Sequence, residues 1–150
     1  EELMRRLDIR IAGIHSLCYT HGTKEENTYG MVQAIRHPYI QIISHPGDGT
    51  ALLDFEPIVL ASKECGTLLE INNSSLKPTR NKVDARDNNR EIPRLCTHYE
   101  VPVILGSDAH ISFDIANYEY LYSLLHETEF PEELIVNRCV ELFKKCLKKI

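Results

Sequence analysis

Polar, chemically competent residues follow short apolar, β-branched runs at near-constant intervals, and this beat constrains the fold of the chain more than any other feature. Residues 9–14 lead into His15, residues 39–44 into His45, residues 67–71 into Asn72 and Asn73, and Val103–Gly106 into Asp108 and His110. Successive run ends lie 30, 27 and 36 residues apart (His15 to His45, to Asn72, to Asp108), each about one strand–helix–strand unit. Strands alternating with helices imply a parallel sheet joined by crossover connections. The runs are apolar throughout instead of alternating, the pattern of strands covered on both faces.

Between the runs lie helix signals. Thr23 with Glu26 forms a capping box that opens a helix running to about His37. Asp54 caps a second helix, and Gly66 ends it. A loop over residues 77–86 precedes a helix from Asp87 to about Tyr99, in which Pro93 predicts a kink or a late start. Two more helices are expected, from Asp114 to Glu127 and from Asn137 to Lys148, with a short extended piece at residues 134–136. A closed (β/α) barrel takes roughly 200 residues or more. Four strands in 150 residues therefore make about half of one, as a single α/β domain. The opening Glu1 to Leu7 reads as the tail of a helix, so the chain is expected to be a fragment.

Composition narrows the function. With 17 basic and 22 acidic residues the formal net charge is −5, whereas a dedicated nucleic-acid binder is normally basic. Lys144, Lys145, Lys148 and Lys149 form the one basic cluster, read as a solvated last helix turn. No apolar run approaches the roughly 18 residues of a membrane span, and no charged-then-apolar leader is present, so neither anchor nor secretion signal is expected. The five cysteines (Cys18, Cys65, Cys96, Cys139, Cys146) are odd in number and lack CxxC spacing, which points to a reducing, cytoplasmic setting.

Position carries the chemistry. In a parallel α/β sheet all C-terminal strand ends share one side, where such folds place their sites. His15, His45, Glu70 with Asn72 and Asn73, Asp108 and His110 therefore converge on one rim. Imidazole and carboxylate together suit zinc, manganese or iron. Plainer roles exist for each: Asp108 can cap the next helix, and Asn72 can make an Asx turn. His21, His37, His98 and His126 fall on helices or loops and are set aside. No GxGxxG, P-loop or GxSxG pattern occurs. A Cys18 nucleophile paired with His15 has no group to orient the base.

Three segments carry a resemblance. Ile42-Ile43-Ser44-His45-Pro46-Gly47, Leu69-Glu70-Ile71-Asn72-Asn73-Ser74-Ser75 and Leu105-Gly106-Ser107-Asp108-Ala109-His110 resemble, in order, three motifs of the PHP (polymerase and histidinol phosphatase) superfamily, most closely the YcdX-like bacterial phosphatases. Ile11-Ala12-Gly13-Ile14-His15 resembles the preceding strand-end histidine. The resemblance implies the C-terminal part of a distorted seven-stranded (β/α) barrel that hydrolyses phosphate esters with clustered divalent metals, zinc above manganese or iron. It implies that His15 and His45 share one metal, that Asp108 binds a second and His110 a third. Asn72, Asn73 and Arg80 would support the ligands or contact the substrate, a phosphorylated small molecule. The opening His-x-His, the second motif and the bridging Glu of that superfamily are absent, and Ser16 follows His15 where relatives often carry Glu. The chain alone is therefore expected to bind metal weakly and to be nearly inactive; the alternative is a non-catalytic, PHP-like metal-binding or interaction module. Half a barrel would also leave an open strand at residues 9–14 and an uncovered face around Ile11, Ile42, Leu69 or Ile104, predicting a homo-oligomer.

Overall fold

All four apolar runs become strands of one sheet in the computed structural model, which describes residues 2–78 and 85–147. The strands are β1 (Ile11–Ala12), β2 (Ile42–Ile43), β3 (Leu68–Asn72) and β4 (Val103–Gly106). Every pairing is parallel, and the spatial order β1-β2-β3-β4 repeats the order in sequence. Such an order has no switch point, unlike a doubly wound sheet. The helices are α1 (Glu2–Arg5), α2 (Lys24–Arg36), α3 (Phe55–Cys65), α4 (Ala85–Tyr99), α5 (Glu119–Glu127) and α6 (Val140–Cys146).

Register sorts the strand residues onto two faces, because aligned residues of parallel neighbours point the same way and successive residues alternate. Ala12, Ile43, Leu69 and Val103 are aligned across the sheet. With Ile71, the last three pack against Met31 and Ile35 of α2, Ile58 and Val59 of α3, Ile92 and Leu95 of α4, and Leu121 of α5. The opposite face presents Ile42 and Leu68, which bury against Val136 with Leu142, Phe143 and Cys146 alongside.

That second cluster corrects the expectation of an uncovered face. Ile42 and Leu69 are buried and Ile104 is half-buried; only Ile11, at 58% exposure, meets solvent as expected. The cover is the chain's own C-terminal segment. Ile135 bridges to Val103 in parallel, where a short extended piece was expected, and α6 then lies over the apolar face. Asn137 completes the β4 edge with its side chain: Oδ1 accepts from Leu105 N at 3.1 Å, and Nδ2 donates to Leu105 O at 2.9 Å. One carboxamide thus copies the donor–acceptor pair of a fifth strand.

Local signals set α2 and α3. The Thr23–Glu26 capping box is present in both directions, and Gly66 closes α3 in the left-handed conformation, φ 66°. Asp54 occupies the N-cap of α3 but makes no capping bond. The helix α4 begins at Ala85 and continues through Pro93, contrary to the expected start just before the proline. Burial of its Ala85, Ile92, Leu95 and Cys96 face outweighs the lost backbone bond.

Later helices start after their expected positions, for long-range reasons. The helix expected from Asp114 forms only at Glu119, because Asn73 Oδ1, at the end of β3, accepts from Tyr120 N (2.9 Å) and Leu121 N (3.1 Å) and caps α5 there. The one expected from Asn137 begins at Val140, since Asn137 is engaged with Leu105. Arg80, Lys148 and Lys149 lie outside the described residues.

Candidate functional site

The strand ends bring His15 and His45 together. Their Nε2 atoms lie 3.1 Å apart, with the rings edge to face at 4.8 Å between centroids. β1 and β2 approach closely here: a Cβ on Gly13 would overlap Ser44 Oγ as that side chain stands, so a larger residue would have to turn the serine aside. Beyond Gly13, His15 O accepts from Cys18 N (2.9 Å) and Tyr19 N (3.0 Å), a turn that closes the chain after the exposed His15.

A tighter scaffold holds His45. Its φ is +33°, and that of Asp108, at the end of β4, is +52°. Non-glycine residues in this region cost on the order of 1–3 kcal/mol, and surrounding contacts must hold them there. Two carboxylates supply such contacts at His45. Glu70 Oε2 accepts the His45 backbone N–H at 2.7 Å. Asp48 Oδ2 lies 3.4 Å from His45 Nδ1, and Asp48 is itself fixed by Thr50 N (2.7 Å) and Thr50 Oγ1 (2.6 Å). A carboxylate on that side favours a proton on Nδ1, the tautomer in which the Nε2 lone pair faces His15.

Glu70 sits between the two sides of the rim. Burial pushes its carboxyl up from the usual range, and the nearby Asp108 charge adds to this. The His45 N–H, the Asn72 amide and the His45 charge pull the other way. Asn72 Nδ2 donates to Glu70 Oε2 at 3.2 Å. Its Oδ1 accepts from Ser75 N (2.9 Å) and Ser75 Oγ (3.1 Å), three residues on and so one residue beyond the reach of the expected Asx turn. A Cβ on Gly106 would overlap Glu70 Oε1, so the carboxylate fills the space that glycine leaves on β4.

The other sequence candidates are placed differently. His110 is 75% exposed in its side chain, and its Nδ1 lies 2.9 Å from the Asp108 carbonyl oxygen. An oxygen acceptor there requires the proton on Nδ1 and directs Nε2 outward. Asp108 carboxylate oxygen stands 3.8 Å from the same nitrogen. Asn72 and Asn73 are buried and serve the turn and the cap of α5. Arg80 falls outside the described residues. Among the described residues, no set of three or more His, Cys, Asp or Glu is arranged to hold a metal ion. A cleft of about 830 Å³ between α2 and α3, lined by Thr23, Tyr29, Val32, Arg36, Asp54 and Pro57 among others, includes none of the rim residues. Asp48 escaped sequence reasoning, although its position three residues after His45 was a usable local signal. The support role of Glu70 was not legible, because it acts through a backbone N–H 25 residues away.

Fold and rim together define an α/β chain with an oriented imidazole pair at the C-terminal ends of a parallel sheet. Among the described residues, no helix is long and apolar enough to cross a membrane. No family model matches the chain. It is 37% identical over 149 residues to a protein of Acetivibrio thermocellus named "Probable phosphatase", covering 99% of this chain and 61% of that protein. Proteins of the same name from Caldicellulosiruptor bescii (43% over 148 residues; 99% and 60% covered) and Caldicellulosiruptor saccharolyticus (40% over 148 residues; 99% and 61%) are similarly close. The chain spans about three fifths of the length of these relatives.

Proposed function

We propose that this chain is the C-terminal portion of a metal-dependent phosphoesterase of the PHP type, and that His15 and His45 share one divalent ion. The similarity to proteins named as phosphatases supports the reaction class. The order of parallel strands, without a switch point, supports the partial barrel. The observation that carries the reading is the imidazole pair. Two nitrogen donors on one tetrahedral zinc, at about 2.0–2.1 Å each, stand roughly 3.3 Å apart, and the two Nε2 atoms stand at 3.1 Å. Asp48 behind His45 supplies the outer carboxylate that ligating histidines commonly have.

Bound there, a divalent ion would neutralise phosphate charge and acidify a water, with zinc best matched to the donors and manganese or iron also suited. The chain's own residues do the positioning. Asp48 sets the His45 tautomer, and Glu70 holds its backbone. The Asp108 carbonyl turns His110 Nε2 outward, where Asp108 and His110 would serve further ions. Two oriented nitrogens fall short of the three or four protein ligands of typical zinc sites. The chain alone therefore takes metal weakly and hydrolyses little.

Zinc titration by calorimetry tests the pair: weak uptake is expected, lost in His15→Ala and His45→Ala. Uptake unchanged by both substitutions would overturn the shared site. Hydrolysis of 4-nitrophenyl phosphate by the chain with zinc or manganese should be negligible. Robust metal-dependent turnover that disappears in Asp108→Ala would refute the inactivity of the isolated chain. The absence of any three-ligand set among the described residues favours a second reading, a metal-binding or interaction module without catalysis. A phosphorylated small molecule remains the substrate class of the first reading. The open β1 edge, with Ile9 and Ile11 exposed, is the surface through which copies of the chain would pair. Light scattering at micromolar concentration should then show a dimer that Ile11→Lys converts to monomer.

A further inference from the structure

The rim contains one carboxylate that the proposed metal pair does not use and that the fold accommodates at the expense of a side chain on the next strand. Glu70 lies on β3, two residues before Asn72 on the same face, and Asn72 is aligned with Gly106 of β4. Any Cβ at position 106 would occupy the place of Glu70 Oε1. The other oxygen, Oε2, receives the His45 backbone N–H at 2.7 Å and the Asn72 amide at 3.2 Å.

We propose that Glu70, seated in the space left by Gly106, is a positioning residue that fixes the His45 peptide and so aims the His45 ring at His15. The geometry supplies the reason. A hydrogen bond to the His45 N–H fixes the plane of the peptide preceding Cα. With φ at +33°, the direction of Cβ, and hence of the ring, follows from that plane. Positive φ is uncommon outside glycine, and the other anchors of His45 lie beyond Cα: Asp48 N donates to His45 O at 3.1 Å, and its carboxylate faces Nδ1, so neither sets the peptide before His45. Ser44 and Pro46 on either side cannot hold the turn through the same group, because the single N–H of His45 is already donated to Glu70. Asn72 keeps the carboxylate from turning away, which places the Asn72–Ser75 contact after β3 in the same service. The inference deepens the proposed metal pair and rests on it for its functional meaning, while its structural content stands without metal.

The experiment uses the full chain and four variants: Glu70→Gln, Glu70→Ala, Gly106→Ala and the double substitution Glu70→Ala/Gly106→Ala. Metal-free protein is read by NMR, through the His45 backbone amide shift and the contact between the His15 and His45 rings. Cobalt(II) titration, followed by its visible absorption, reads the pair's affinity. Glu70→Gln retains an acceptor oxygen and should keep the amide shift, the ring contact and a cobalt Kd within about threefold. Glu70→Ala should lose the ring contact and weaken cobalt about tenfold or more, in the range seen when outer partners of ligating histidines are removed. Gly106→Ala should reproduce that loss by displacing the carboxylate. The double variant should be no worse than either single one, the non-additivity expected of two residues acting through one contact.

An unchanged amide shift and ring contact in Glu70→Ala would overturn the proposal. So would a loss in Glu70→Gln equal to that in Glu70→Ala, which would assign the effect to charge. Should Glu70→Ala fail to fold, Glu70→Gln and Gly106→Ala decide alone, since the proposal requires the first to resemble the parent and the second to lose the ring contact. If the parent chain takes up no cobalt, the metal reading fails, and the NMR comparison still decides the role of Glu70.

Discussion

The two sides of the strand-end rim are built to different standards. On the β1–β2 side, the His45 side chain is 13% exposed, its Nδ1 faces Asp48, its N–H is held by Glu70, and its Nε2 meets His15. On the β4 side, His110 is 75% exposed and is held by its own neighbour's carbonyl, two residues back. One side is oriented by residues from three strand ends; the other depends on a local turn. The lesson is that strand-end position is not enough to make a ligand. A donor is preorganised only where a second layer of side chains from other strands fixes its backbone and its tautomer.

The sharpest way to break this asymmetry is to remove one histidine from each side. His45→Ala should weaken cobalt(II) or zinc uptake about a hundredfold or abolish it, and His110→Ala should change it less than about threefold, both measured by titration. Equal losses would mean that the β4 side carries as much of the binding as the β1–β2 side. Next in size is Asp48→Asn, which keeps the shape but removes the charge behind Nδ1. About a tenfold loss of affinity is expected, together with a changed Nδ1/Nε2 tautomer pattern in imidazole nitrogen spectra. Stability supplies the smaller tests. Asn73→Ala frees the N–H groups of Tyr120 and Leu121 at the start of α5 and should cost about 1–2 kcal/mol in urea unfolding. Phe113→Ala, in the solvent-facing turn after His110, should stay within about 0.5 kcal/mol, since Phe113 is 90% exposed. A larger cost at Phe113 would show that the β4 side is more strongly held than its exposure indicates.

Much of this architecture was legible in the sequence where the signal was local. The Thr23–Glu26 box and Gly66 acted within a few residues, and the apolar runs fell on the four strands in the expected order. His15 and His45 were legible as a pair because parallel strands must end on one side. Asn73 and Asn137 were not, because their partners lie 47 and 32 residues away, at Tyr120 and Leu105. No periodicity or propensity reports which backbone a carboxamide will reach. The misjudged starts of α5 and α6 trace to these two asparagines, and the misjudged face at Ile42 traces to the C-terminal segment that Asn137 anchors. Pro93 failed as a helix breaker for the opposite reason: a strong local rule yielded to burial.

Asn137 also makes the sheet edge sensitive to the chemistry of one side chain. Its amide nitrogen donates to the Leu105 carbonyl, while its oxygen accepts from the Leu105 N–H. Deamidation would replace that nitrogen with a carboxylate oxygen, leaving two acceptors face to face at the strand edge. The other bond would survive, so the damage would be one-sided. An ageing sample would then loosen from β4 outward, uncovering the apolar face at Ile42 and Leu68 and exposing a second unpaired edge. Sheet edges of that kind recruit other chains, so the closure of this edge rests on a carboxamide that must keep both its donor and its acceptor.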